Sequence, residues 1–278
     1  MAFTTARFKR RPKRTAEPNS SAPQLDLERP TAQAIYEQVA KNARQELARD
    51  DMSLLISGLA GGMAMGLTAL AVSIGSAVLG TSGPAHFVTY LFYPIGFIAV
   101  ILGRSQLFTE NTLYPVALLL SEKGHFWSTL RLWALVLPSN ILGAFCFAVL
   151  AARTGALKPE FVTSMAHIGQ EAARNPASTV FWSGIIGGWI IAMVAWLVSG
   201  SHSITGSVAL IWLLTFLVGL GGFAHCIATS GEILAAVVTH QLPVLAYVKW
   251  IGPAVAGNIC GGVLLVTLLE YGQTKGDM

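Results

Sequence analysis

Residues 104–115, RSQLFTENTLYP, bring Arg104, Gln106, Thr109, Glu110, Asn111 and Thr112 together inside a run otherwise apolar enough for a bilayer. A second stretch, GGFAHCIATSGEIL at 221–234, does the same with His225, Thr229, Ser230 and Glu232. Side chains of these types bind and orient a small polar solute. A histidine, titrating near neutrality before its surroundings act, is also able to exchange a proton with one. Ionisable groups in membrane segments tend to face a cavity or a relay. The local alternatives are a neutral imidazole satisfied by a neighbour, and Asn111, Thr112, Thr229 and Ser230 acting as caps of short helices. No acid, base and nucleophile set and no phosphate-binding glycine loop is present, so neither an enzyme nor an ATP-driven pump is expected. Cys146, Cys226 and Cys260 lie in apolar segments without metal-ligand spacing and read as small core residues. No disulfide, metal, other cofactor or nucleic acid is expected.

The elements that position these residues follow from composition. The chain is 53% hydrophobic and 12% charged with a mean hydropathy of +0.59, and ten of its 18 lysines and arginines precede Met52. This is the profile of an all-α integral membrane protein with a soluble, basic amino-terminal arm. Six apolar regions, near 53–79, 86–120, 127–152, 178–199, 204–241 and 249–270, are candidate crossings, and the second and fifth are too long for one. RFKRRPKR is followed by Pro and polar residues, so it is no cleavable signal. Residues 1–30 are expected to be a disordered tail. Over 31–51, Ile35, Val39, Ala43 and Leu47 recur on one helical face, which predicts a cytoplasmic helix at the membrane surface or against the bundle. The transmembrane domain then covers 52–272, and 273–278 form a tail. Basic residues collect on the cytoplasmic side, so both termini are expected inside an inner membrane.

Internal similarity divides the domain in two. SGLAGG at 57–62 returns as SGIIGG at 183–188, and NILG at 140–143 returns as NICG at 258–261. Three helices per half, an odd number, require the halves to be oppositely oriented. The overlong second and fifth helices are then each broken near the midplane, where protein or a water-filled path must cover their loose backbone. The two breaks face one another, and Thr109 and His225 come close to a central path.

The chain resembles the formate/nitrite transporters over roughly residues 50–272, through LFT at 107–109, SNILGA at 139–144, GFAHCIA at 222–228 and GNICGG at 257–262. The resemblance implies an aquaporin-like fold, a homopentamer with one pore per protomer, and passage of small monovalent anions such as formate, nitrite or hydrosulfide. It also implies constrictions formed by Leu107, Tyr93, Phe97 and Val218, a core histidine at His225, and loop-supporting asparagines at Asn140 and Asn258. Ala224 stands where the family often has an acidic residue, Gly188 replaces an asparagine of the fourth helix, and Arg174 is only a nearby stand-in for a vestibule lysine. The loop reads FTENT, and ELARD and FTENTLYPVALLL point to a divergent branch of the family.

An anion at the bilayer centre costs at least ~2.5–3.5 kcal/mol. Basic vestibules and half-helix amino termini are expected to attract it. Protonation near His225 then lets it cross as a neutral acid. Glu110 would repel an anion and is expected to pair with Arg104 or with backbone donors, while Arg104 has snorkelling or a subunit interface as alternatives. A neutral-solute channel, without the expected NPA pairs, and a non-conducting scaffold remain open as other functions.

Overall fold

The computed structural model describes residues 30–122 and 124–274. Nearly all of the basic tail, Lys123 and residues 275–278 lie outside the described residues. Those described form helices and no strand. Helix α1 (Ala32–Leu47) starts at Thr31, whose hydroxyl accepts from Ala34 N at 3.2 Å. Helix α2 (Asp51–Leu79) starts at Asp50, which accepts from Ser53 N at 2.9 Å. Both are side-chain caps that satisfy otherwise orphan donors. There follow α3 (Pro84–Tyr90), α4 (Ile95–Leu102), α5 (Tyr114–Ser121), α6 (Phe126–Arg153), α7 (Pro159–Arg174), α8 (Ala177–Ser199), α9 (Ile204–Leu220), α10 (Ala228–Val238), α11 (Val244–Cys260) and α12 (Leu268–Thr274). A π-helical stretch, Gly261–Thr267, joins α11 to α12. Residues 273 and 274, expected in the tail, belong to α12.

Five helical stretches among the described residues are long and apolar enough to cross a membrane: 51–79, 84–102, 126–153, 177–199 and 244–274. Helices α9 and α10 are apolar but shorter. Between α4 and α5 lies a single 3-10 turn, Glu110–Thr112, and between α9 and α10 no helix at all. These interruptions coincide with the two polar stretches.

Small residues set the closest helix contacts. A Cβ on Gly62 of α2 would strike the Asn140 backbone of α6, and one on Gly188 of α8 would strike the Asn258 backbone of α11. Glycine at both places lets paired helices approach until their backbones nearly touch. The apolar core joins α2, α4, α6, α8 and α10 around the fully buried Phe97, Met65, Leu107, Ile191 and Ile227.

The expected face of α1 beds on the bundle rather than lying free on a membrane surface. Val39 and Ala43 are fully buried, and Tyr36 and Val39 pack with Leu113, Ala117, Trp196 and Val266. Tyr36 OH donates to Ala117 O at 3.1 Å, Arg44 pairs with Glu122, and Arg131 donates to Arg49 O at 2.8 Å and to Asp51 at 2.6 Å. Helix α7 was not foreseen. It buries Met165, Ala166 and Gly169, the last against the backbone of Glu232.

Candidate solute pathway

Backbone outside a helix in an apolar interior needs partners for its polar groups. Asn140, in the middle of α6, supplies them to the first interruption. Its Oδ1 accepts from Phe108 N at 2.8 Å, and its Nδ2 donates to Gln106 O at 2.8 Å and Gly58 O at 2.7 Å. Ser57 Oγ accepts from Gln106 N at 3.1 Å. The second interruption repeats these bonds. Asn258 Oδ1 accepts from Cys226 N, and its Nδ2 donates to Ala224 O and Gly184 O, each at 2.8 Å. Ser183 Oγ accepts from Ala224 N at 2.9 Å. The turns correspond too: α4 ends with Arg104 at φ 58° and α9 with Gly222 at φ 63°. A left-handed arginine is strained where glycine is not.

The polar side chains do not cap the short helices as expected. Asn111 Nδ2 donates to Gln106 Oε1 at 2.7 Å, Thr112 to Thr109 O at 2.8 Å, and Ser230 to Cys226 O at 2.5 Å. The cap of α10 is His225. Its Nδ1 accepts from Ala228 N at 3.0 Å and Ile227 N at 3.3 Å, which leaves the proton of the neutral ring on Nε2. Nε2 lies 2.9 Å from Thr109 Oγ1 and donates to it. The two interruptions therefore meet at one hydrogen bond, with the Phe97 ring edge-on to the imidazole at 5.0 Å. The donors at the start of α10 are occupied, so this amino terminus does not hold out free N–H groups to an anion.

Two cavities approach that bond from opposite sides. The first, about 290 Å³, is bounded by α1, the first interruption and the 198–207 turn, and reaches Leu107. The second, about 910 Å³, reaches Tyr93 and Val218. Phe97, Thr109 and His225 are fully buried between them and line neither. The predicted pathway residues are thus brought together as a closed layer with a cavity on each side.

Residues 33–272 match the model of the formate/nitrite transporter family. The chain belongs to this family. It is 34% identical to the inner membrane protein YfdC of Escherichia coli (strain K12), over 89% of this chain and 80% of that one. Its fold is shared with a solved FNT family ion channel at TM-score 0.77 and 16% identity, covering 86% of this chain and 98% of the other. A pentameric formate channel with formate bound matches at TM-score 0.66 and 18% identity, over 84% and 98%.

As a formate/nitrite transporter the chain departs from expectation in its charges. Arg104 and Glu110 line the first cavity with Glu46 and His202, but no ion pair or hydrogen bond joins Arg104 to Glu110 among the described residues. Among the described residues the Glu110 carboxyl takes no backbone donor either. Arg104, at φ 58°, is exposed where it lines the cavity. The second cavity is not basic: its charged lining residues are Glu171 and Glu232, and Arg174 does not reach it. Glu46, which no motif in the sequence marks, accepts from Gln106 Nε2 at 2.5 Å and so ties α1 to the first interruption. Its signal was its place at the end of the amphipathic α1 pattern.

Proposed function

We propose that this formate/nitrite transporter moves small monovalent anions of weak acids, formate and nitrite among them, across the inner membrane through a pore in each protomer of a homopentamer. The observation that carries this reading is the Thr109–His225 bond, sealed between Leu107 on one side and Tyr93 and Val218 on the other, with a cavity leading to each face. Six crossings are proposed: α2, α3–α5, α6, α8, α9–α10 and α11–α12. They form two inverted three-helix repeats with the second and fifth crossings broken, a reading supported by the duplicated asparagine and serine bonds. The arm and α1 lie on the cytoplasmic side in this arrangement, and the first cavity opens there.

Asn140 and Asn258 hold the breaks open as rigid loops. His225 orients Thr109, whose own hydroxyl hydrogen remains for a solute oxygen. This role replaces proton donation by His225. Loss of the Nε2 proton would leave an imidazolate, and Nδ1, the nitrogen that would have to be protonated first, is held by two backbone N–H groups. Tyr93, Phe97, Leu107 and Val218 exclude hydrated ions, so a solute crosses only after shedding its charge or its water.

Proteoliposomes test the reading. Formate, acetate, nitrite and hydrosulfide should enter under a concentration gradient faster than chloride. Glycerol or water flux without anion flux would assign a neutral-solute channel, and silence from intact oligomers a scaffold.

A further inference from the structure

Two carboxyl groups are buried, unpartnered and open to a cavity, and the pathway proposed above uses neither. Glu110 is 8% exposed and Glu232 5%. Neither makes a side-chain hydrogen bond or ion pair among the described residues. Both keep contact with open space, because the sealed, unpartnered side-chain polar atoms among these residues belong to Gln33, Thr89 and Thr129. Their placement is divided: Glu110, adjacent in sequence to Thr109, lines the first cavity, and Glu232, on α10 beyond His225, lines the second. Arg104, Glu46, His202 and Tyr114 face Glu110 across its cavity; Glu171, Tyr90 and Tyr93 face Glu232. An ionised carboxylate in either mouth repels an arriving anion. A carboxylic acid there donates a hydrogen bond or a proton to it.

We infer that Glu110 and Glu232 are the proton-exchange sites of the pathway, one on each side of the closed layer. The inference rests on the anion transport proposed above. In the first cavity the Glu110 acid gives its proton to the anion, leaving a carboxylate and a neutral acid. The neutral acid passes Leu107, Thr109 and Phe97. The Glu232 carboxylate takes the proton from it and releases the anion into the second cavity. Cavity water reprotonates Glu110 and deprotonates Glu232, so one proton accompanies each anion, no electrons move, and the sequence runs equally in reverse. Arg104 draws the anion to the first cavity and balances the carboxylate left behind. The substrates are anions whose conjugate acids are weak enough to take a proton from a carboxyl group, which excludes chloride.

The experiment uses the full-length protein in vesicles containing a pH dye, with formate as the probe. Wild type should move proton and formate one to one. Glu110→Gln and Glu232→Gln should each lower formate flux at neutral pH at least about tenfold. What remains should follow the formic acid supplied by bulk water, falling about tenfold per pH unit. Glu→Asp at either position should restore part of the coupled flux. A Gln variant that assembles normally and keeps the wild-type pH profile, or passes more formate, overturns the inference and leaves anion transport standing. A wild type that passes neither formate nor nitrite overturns both. If the Gln variants do not assemble, a hydrophobic carbodiimide, which modifies protonated carboxyls, decides on the wild type. Glu110, the resting acid, should be labelled and protected by formate, and an unlabelled Glu110 overturns the proposal.

Discussion

Asn140 shows what one side chain can hold in place. Replacing it with Ala strands Phe108 N and Gln106 O in an interior without water, while Gly58 O keeps its place in the α2 ladder. Each buried group left unpaired costs about 1–3 kcal/mol, so Asn140→Ala should destabilise the protein by at least about 2 kcal/mol. Thermal unfolding in detergent measures it, and Asn258→Ala should behave alike because its three bonds are the same. His225→Asn tests a different link. The shorter amide is still able to cap α10 but does not reach Thr109. Formate flux should fall about tenfold or more while its pH profile keeps the wild-type shape, since the neutral imidazole orients rather than titrates. A profile that flattens around neutrality would return His225 to the role of proton donor. That this histidine faces Thr109 was legible from the paired polar stretches. That its Nδ1 is occupied by the backbone of α10 was not, because the fold of residues 224–228 decides it.

At the scale of elements, the interruptions after α4 and α9 are built on one plan with one unequal residue. Arg104 takes after α4 the left-handed turn that Gly222 takes after α9. Such a conformation costs a non-glycine residue roughly 1–2 kcal/mol, and strain of this sort persists where the side chain is needed. Arg104→Gly should therefore raise the unfolding temperature slightly and weaken formate uptake from the side of the first cavity. Thermal scans and concentration-dependent flux on the same preparation check both outcomes. Helix α7 escaped sequence reading for a physical reason. Its apolar residues, Phe161, Met165, Ile168 and Ala172, share one face of a 16-residue helix, so it has no apolar run of the length that marks a crossing, and only Pro159 marks an end.

For the whole molecule, α1 adds polar ties, Glu46 to Gln106 and Arg44 to Glu122, to the buried apolar face that beds it on the bundle. Removing residues 1–29 should leave assembly and flux intact, whereas removing 1–49 also removes Glu46 from the first cavity and should change flux. Equal behaviour of both truncations would show that α1 has no part in transport. Crosslinking in mild detergent should end at five protomers for the full chain and for the shorter truncation. The anchor is also pH-sensitive in one direction. The Arg44 guanidinium, then the His125 ring, hold the Glu122 carboxyl below its usual range. A depressed folded pKa gives stabilisation that is present above about pH 4.3 and is lost as pH falls through the folded value. Thermal stability should be flat from pH 7 to pH 5 on this account and fall slightly only in stronger acid, and Glu122→Gln should remove that small acid-dependent step without displacing α1, whose apolar face stays buried.

The sequence by itself determined the family, the apolar runs and the two polar stretches that interrupt them. Those properties are local: apolar run length, polar insertions within such runs, and short motifs. Tertiary structure alone decided that the Thr109–His225 bond closes the layer, that Arg104 stays apart from Glu110, that the second cavity carries glutamates and no basic residue, and that α1 beds on the bundle. Each depends on which side chains from distant segments share a space, and a carboxyl such as Glu110 or Glu232 carries no mark in the sequence of the cavity it faces.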